Sequence, residues 1–147
     1  MPLRGDRKPF SVVSSGGVFE AEVSPDGKWL AYTKNNGGER EVEVIPFPRG
    51  AGQWQVSANG GSDARWRGDS KELFYLSPDK QIMAAEIIDE GSSVAVGKIS
   101  TLFKIEGDTA YDVSPDGKRF LVVTGVEQKD SQTVMLVTNW TGLLKKQ

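Results

Sequence analysis

The chain has 147 residues, enough for one domain and short for two, with 18 basic and 20 acidic residues and a net charge of -2. The charges are mixed along the chain, so no basic field draws a phosphate backbone or anionic lipid, and neither nucleic acid nor a membrane is an expected partner. Histidine and cysteine are both absent, which removes Ser-His-Asp relays, thiolate nucleophiles, disulfides and thiolate-held metals; no cofactor or metal is expected.

In chain order, residues 9–14, with Phe10, Val12 and Val13, read as a short lone strand. Four strands follow at 18–23, 28–34, 40–47 and 53–58, with turns at Asn35-Asn36-Gly37-Gly38 and Pro48-Arg49-Gly50. Four more fall at 64–66, 72–77, 81–88 and 94–103, the middle pair joined by Ser77-Pro78-Asp79-Lys80. Three close the series at 110–113, 119–124 and 133–139. No segment sustains a helical period, so the fold is expected to be all-β.

A repeat organises these strands. Val23-Ser24-Pro25-Asp26-Gly27-Lys28 returns letter for letter as Val113-Ser114-Pro115-Asp116-Gly117-Lys118. A degenerate copy, Trp66-Arg67-Gly68-Asp69-Ser70-Lys71, lies midway and sets a period of about 45 residues, the range of propeller blades. Proline presets the first corner of such a turn, aspartate accepts local backbone N–H groups, and glycine takes the left-handed corner that closes a hairpin. Asp26 and Asp116 are therefore read as turn residues rather than ligand contacts. Trp29 and Trp66, at repeat-anchored strand positions, are expected in the core, whereas Trp54 and Trp140 are less determined: Trp54, between polar neighbours, is expected to pack, with exposure for sugar stacking as the alternative.

The expected architecture is half a β-propeller: three four-stranded blades over about 18–58, 62–104 and 109–140, within one domain of 1–147. The third blade lacks a fourth strand, and residues 9–14 of a neighbouring copy could supply it against 133–139. An open three-blade fan would leave two end faces in water, lined by residues such as Trp29, Tyr32, Phe120 or Val122, and soluble monomers rarely expose large apolar patches. Two copies about a two-fold axis would cover all four faces, so a homodimer closing a six-bladed ring is expected. The alternative is a piece of a larger ring.

Aligning the repeats puts Glu22, Arg65 and Asp112 at one equivalent position, with Glu20, Asp63 and Ala110 two residues earlier. Strand alternation puts each pair on the same side of its strand, so a mixed-sign ring near the channel is expected. Glu20, Glu22, Asp63, Arg65, Asp108 and Asp112 are the candidate ligand-binding residues, facing a central channel, and the competing assignment is ion pairing between blades. The loops Ser14-Ser15-Gly16-Gly17, Asn59-Gly60-Gly61-Ser62 and Gly107-Asp108-Thr109 are small and polar enough to admit a peptide or sugar. No Gly-Lys-Ser/Thr follows the glycines, which excludes a phosphate loop.

At its Ser-Pro-Asp-Gly-Lys hairpins the chain resembles the TolB-type propellers, cousins of the WD-repeat propellers. Its ending, Val137-Thr138-Asn139-Trp140-Thr141-Gly142-Leu143-Leu144-Lys145-Lys146, is similar to the end of the C-terminal propellers of bacterial membrane-anchored Ser/Thr kinases. The resemblance implies a ring of six or so blades and an association with the bacterial envelope. No signal peptide is visible at Met1 to Phe10, and the kinase loops are missing, so kinase activity is not carried over. The expected function is a non-catalytic interaction or scaffold module binding protein or peptide. The alternatives are a carbohydrate-binding or carbohydrate-active propeller using Glu20, Glu22, Asp63 and Asp112, and a fragment with no independent function.

Overall fold

The structure, a computed structural model, describes residues 9–13, 16–106, 110–125 and 132–138. These form strands and turns with no helix, in three antiparallel sheets. Sheet 1 holds β1 (Val18–Val23), β2 (Trp29–Asn36), β3 (Glu39–Pro46) and β4 (Trp54–Gln55). Sheet 2 holds β5 (Ser62–Trp66), β6 (Glu72–Leu76), β7 (Gln81–Asp89) and β8 (Val94–Lys104), and sheet 3 holds β9 (Ala110–Val113), β10 (Arg119–Gly125) and β11 (Gln132–Thr138). Each sheet is a meander in sequence order, and the three are consistent with a partial propeller.

In the middle sheet the second strand, β6, is a continuous apolar run because both of its faces are covered by neighbouring sheets. In β2, Trp29 and Ala31 pack with Val42, Val44, Trp66, Leu73 and Tyr75 in a core between sheets 1 and 2. The other face of β6, with Phe74 and Leu76, joins Ile82, Tyr111, Phe120 and Val122 in a second core between sheets 2 and 3. Phe120 is held edge-on by Phe74 at 5.1 Å and Phe103 at 5.2 Å, contacts worth about 0.5–1.5 kcal/mol each beyond their buried area.

This packing corrects the expectation for the end faces. Trp29, Phe120 and Val122 are buried between sheets rather than on them, and only Tyr32 lies on the outward side of sheet 1. There its hydroxyl donates to Glu43 at 2.6 Å. A run of apolar residues does not show which neighbour covers each face. Trp54 is half-buried and meets Trp29 edge-on at 5.8 Å, so it completes the first core instead of offering a sugar platform.

The repeated hairpins are built alike. Ser24 Oγ donates to Asp26 Oδ1 at 2.5 Å and accepts from Trp29 N, while Asp26 Oδ1 also accepts from Lys28 N. Ser114, Asp116, Lys118 and Arg119 reproduce this network, and Gly27 and Gly117 take φ of 75° and 70°. In the middle copy Arg67 replaces the serine and forks onto both oxygens of Asp69 at 2.8 and 2.9 Å. Ser77-Pro78-Asp79-Lys80 is a fourth version, with Ser77 Oγ donating to Asp79 at 2.6 Å.

The middle hairpin departs from the repeat because it docks on both neighbours. Gly68 N donates to Pro115 O at 2.8 Å, a bond that proline could not make. Ser70 Oγ accepts from Asp26 N at 3.1 Å, where glycine would offer no side-chain acceptor.

Two expected strands differ. Instead of 53–58, β4 is only Trp54–Gln55, because Val56 N already donates to Val42 O and Ser57 Oγ accepts from Val42 N. Residues 9–13 form no strand within the chain and lie against sheet 1, while Ser14 is outside the described residues. Among the described residues sheet 3 has three strands, as expected. Trp140, Asn139 and the C-terminal tail lie outside the described residues.

Candidate functional site

The first strand of each sheet packs on the first strand of the next, β1 on β5 and β5 on β9. Glu20, Glu22, Asp63, Arg65 and Asp112 are on these strands, whereas Asp108 lies outside the described residues. The backbones are tied across the seams: Trp66 Nε1 donates to Glu22 O at 3.2 Å, and Tyr111 Oη donates to Asp63 O at 2.7 Å.

The simple alternation expected for β1 and β5 is broken. Register shifts fall between Phe19 and Glu22 and between Ser62 and Arg65, at repeat-equivalent places. Within these bulges Glu20 and Asp63 have φ of 49° and 54°, a left-handed conformation that non-glycine residues seldom adopt. Glu20 and Glu22, like Asp63 and Arg65, therefore do not share a side merely by being two residues apart. Across the seam Asp63 N donates to Glu20 Oε2 at 3.3 Å, so one bulge supplies an acceptor for the other.

Arg65 lies with its guanidinium 5.9 Å from the centre of the Tyr111 ring. Burial pushes the Glu22 carboxyl up, the Arg65 charge opposes that rise, and Asp112 adds to it. Glu22 Oε2 is buried without a hydrogen-bond partner. The Tyr111 hydroxyl is held well above its ordinary value, chiefly by burial. Among the described residues the ion pairs are Lys28–Asp89, Lys34–Glu43, Arg67–Asp69 and Arg67–Glu72, so Arg65 acts on Glu22 through space and not by direct contact. No set of three or more acidic side chains among the described residues is arranged to hold a metal ion.

A groove of about 620 Å³ opens where sheets 1 and 2 meet. Its walls are the β2–β3 turn with Gly38, Glu39 and Arg40, the Asn59–Ser62 loop, and the Pro78–Lys80 turn. Glycine is required in the middle wall: a Cβ on Gly61 would come within 2.7 Å of the Tyr75 ring, and one on Gly60 within 2.8 Å of Pro78. Ser62 Oγ donates to Asp63 Oδ2 at 2.9 Å, joining the groove to the bulged strands.

Of the candidate loops, Asn59-Gly60-Gly61-Ser62 thus lines a cavity; Ser14-Ser15-Gly16-Gly17 is described only at its two glycines, and Gly107-Asp108-Thr109 lies outside the described residues. Sequence reasoning missed Tyr111, Arg40 and Pro78. Tyr111 was detectable as the one large residue at a repeat position occupied elsewhere by Ala21 and Ala64, but the approach of Arg40 to Pro78 depends on how two sheets pack.

No family model matches the chain, and no curated protein matches it. Solved structures do. TolB from Acinetobacter baumannii is similar over 87% of this chain and 32% of its own, with a TM-score of 0.63 and 22% identity. A putative 6-phosphogluconolactonase from Bacteroides uniformis is similar over 90% of this chain and 44% of its own, with a TM-score of 0.51 and 16% identity. The chain spans less than half of either protein, and the likeness is one of fold: a TolB-like, propeller-type arrangement.

Proposed function

We propose that the three sheets are three blades of a β-propeller, that two copies pair into a six-bladed ring, and that the ring is a non-catalytic module binding a segment of protein or peptide. The groove between sheets 1 and 2 is the observation that carries this reading. Its walls mix loop backbone, short polar side chains and the apolar Leu76 and Pro78, with Arg40 and Lys80 balanced by Glu39 and Glu41. A polypeptide, which brings donors, acceptors and apolar groups together, suits such a surface better than a strongly charged ligand does.

A sugar or sugar lactone is the second reading. It is favoured by the unpartnered oxygen of Glu22 near Asp112, and by the name of the Bacteroides uniformis protein.

Selection from a displayed random-peptide library, followed by calorimetry on the wild type and Asn59→Trp, tests the groove. Asn59 is exposed on its rim, so the bulky ring should weaken the selected peptide by about tenfold or more, the equivalent of ~1.4 kcal/mol. Equal affinity for both proteins, or a melting temperature raised only by a panel of monosaccharides and lactones, overturns the peptide reading.

A further inference from the structure

The geometry points to residues 9–13 as a strap over the outward face of sheet 1, the face on which sheet 3 of a second copy docks, so that two copies pair only when the strap leaves. This rests on the shared-ring reading and adds which faces meet and what separates them.

The repeat identifies the faces. Leu30 and Tyr32 of β2 stand where Leu73 and Tyr75 stand in β6, and Phe120 and Val122 in β10. The latter two pairs are buried against the preceding sheet. Sheet 1 presents the same kind of face with no preceding sheet. At the other end, Leu121 and Leu136 are paired across β10 and β11 and are 44% and 62% exposed, on the side of sheet 3 away from sheet 2. Leu121 occupies the repeat position of Ala31 and Phe74, which pack on the following sheet.

Each kind of face takes the other, and within one chain sheet 2 stands between the two that remain. A second copy is therefore the occupant, and two such contacts about a two-fold axis close without leaving a free end.

The outward face of sheet 1 is prepared for an apolar neighbour. Glu43, 6% exposed, accepts from Tyr32 Oη at 2.6 Å, Gln53 Nε2 at 2.5 Å and Lys34 Nζ at 3.5 Å. With donors and a counter-charge on its own sheet, the carboxylate needs nothing polar from whatever covers it.

In the isolated chain this face is already covered, Leu30 being 7% and Tyr32 1% exposed, and the strap lies beside it with much of its own surface open. Ser11, Val12 and Val13 border a cavity of about 350 Å³ together with Tyr32, Ile45 and Gln53. Phe10 lies 5.1 Å from the Arg49 guanidinium yet stays 53% exposed. No strand pairing among the described residues joins the strap to sheet 1. Once released, it is free to lie along the β11 edge, where no fourth strand is found among the described residues.

Sedimentation equilibrium of the full chain tests the inference with two exposed substitutions, Arg49→Ala and Leu121→Asp, each checked for folding by circular dichroism. Arg49→Ala removes the contact to Phe10 at the rim of the cavity that the strap shares with Tyr32, and should tighten the dimer by about two- to fivefold, the value of one exposed cation–π contact. Leu121→Asp should leave monomers. A wild-type dimer whose affinity is unchanged or weaker in Arg49→Ala overturns the strap and leaves the ring standing. A dimer that survives Leu121→Asp overturns the assignment of the docking face. Monomers in both the wild type and Arg49→Ala at every concentration overturn the shared ring, and the strap with it.

Discussion

Replacing Gly68 with proline would restore, in the middle hairpin, the residue found at positions 25 and 115. The structure predicts that this return to the repeat is harmful. Gly68 N donates to Pro115 O at 2.8 Å, and loss of that bond costs about 1 kcal/mol. A Cβ at position 68 would lie 2.8 Å from Pro115 O and 3.0 Å from Pro115 Cβ, and relieving that overlap costs about 1.5 kcal/mol more. Proline stiffens the unfolded chain and returns about 0.5 kcal/mol. The net loss is about 2 kcal/mol, which for a chain of this length lowers the melting temperature by about 6 °C. Differential scanning calorimetry measures it directly. The companion Ser70→Gly should change stability little, because relief of the left-handed conformation at φ 61° is offset by loss of the acceptor for Asp26 N. A Gly68→Pro protein as stable as the wild type would refute the docking of the middle hairpin on the third.

Two further outcomes follow from the bulged strands. Tyr111→Phe removes the 2.7 Å bond to Asp63 O at the seam of sheets 2 and 3, and should lower stability by about 1 kcal/mol in urea titration; an unchanged midpoint would mean that the bond contributes nothing. The folded chain holds the Glu22 proton more tightly than the unfolded chain, so this group favours folding below its ordinary value of 4.5 and that contribution is lost as pH rises through the raised folded value. Glu22→Gln should therefore be more stable than the wild type at neutral pH, with the advantage shrinking toward acid. A difference independent of pH would contradict the burial assigned to Glu22.

The parts of the fold legible in the sequence are those made by local chemistry. Asp26 and Asp116 each accept the N–H two residues on, so the hairpins and the strands beside them could be placed from turn residues alone. What depends on contact between sheets could not. The apolar run from Trp29 to Thr33 does not say which face meets sheet 2, and Trp29 was misplaced on an end face for that reason. The short β4 reflects Ser57 Oγ taking over a ladder bond, and the bulges at Glu20 and Asp63 exist only relative to the register of β2 and β6. At the candidate site the repeat alignment picked out Glu22 and Arg65 as neighbours in charge, since both sit at the same place in successive units. It did not show the groove, whose walls come from two sheets.

Light scattering coupled to size-exclusion chromatography, run over a concentration series on the intact chain, tests the shared ring most directly. The account predicts a mass that rises to twice the 16.0 kDa of one chain and stops there, because two half-rings leave no free face. A mass of 16.0 kDa at every concentration, or growth past the dimer into open chains, would contradict it.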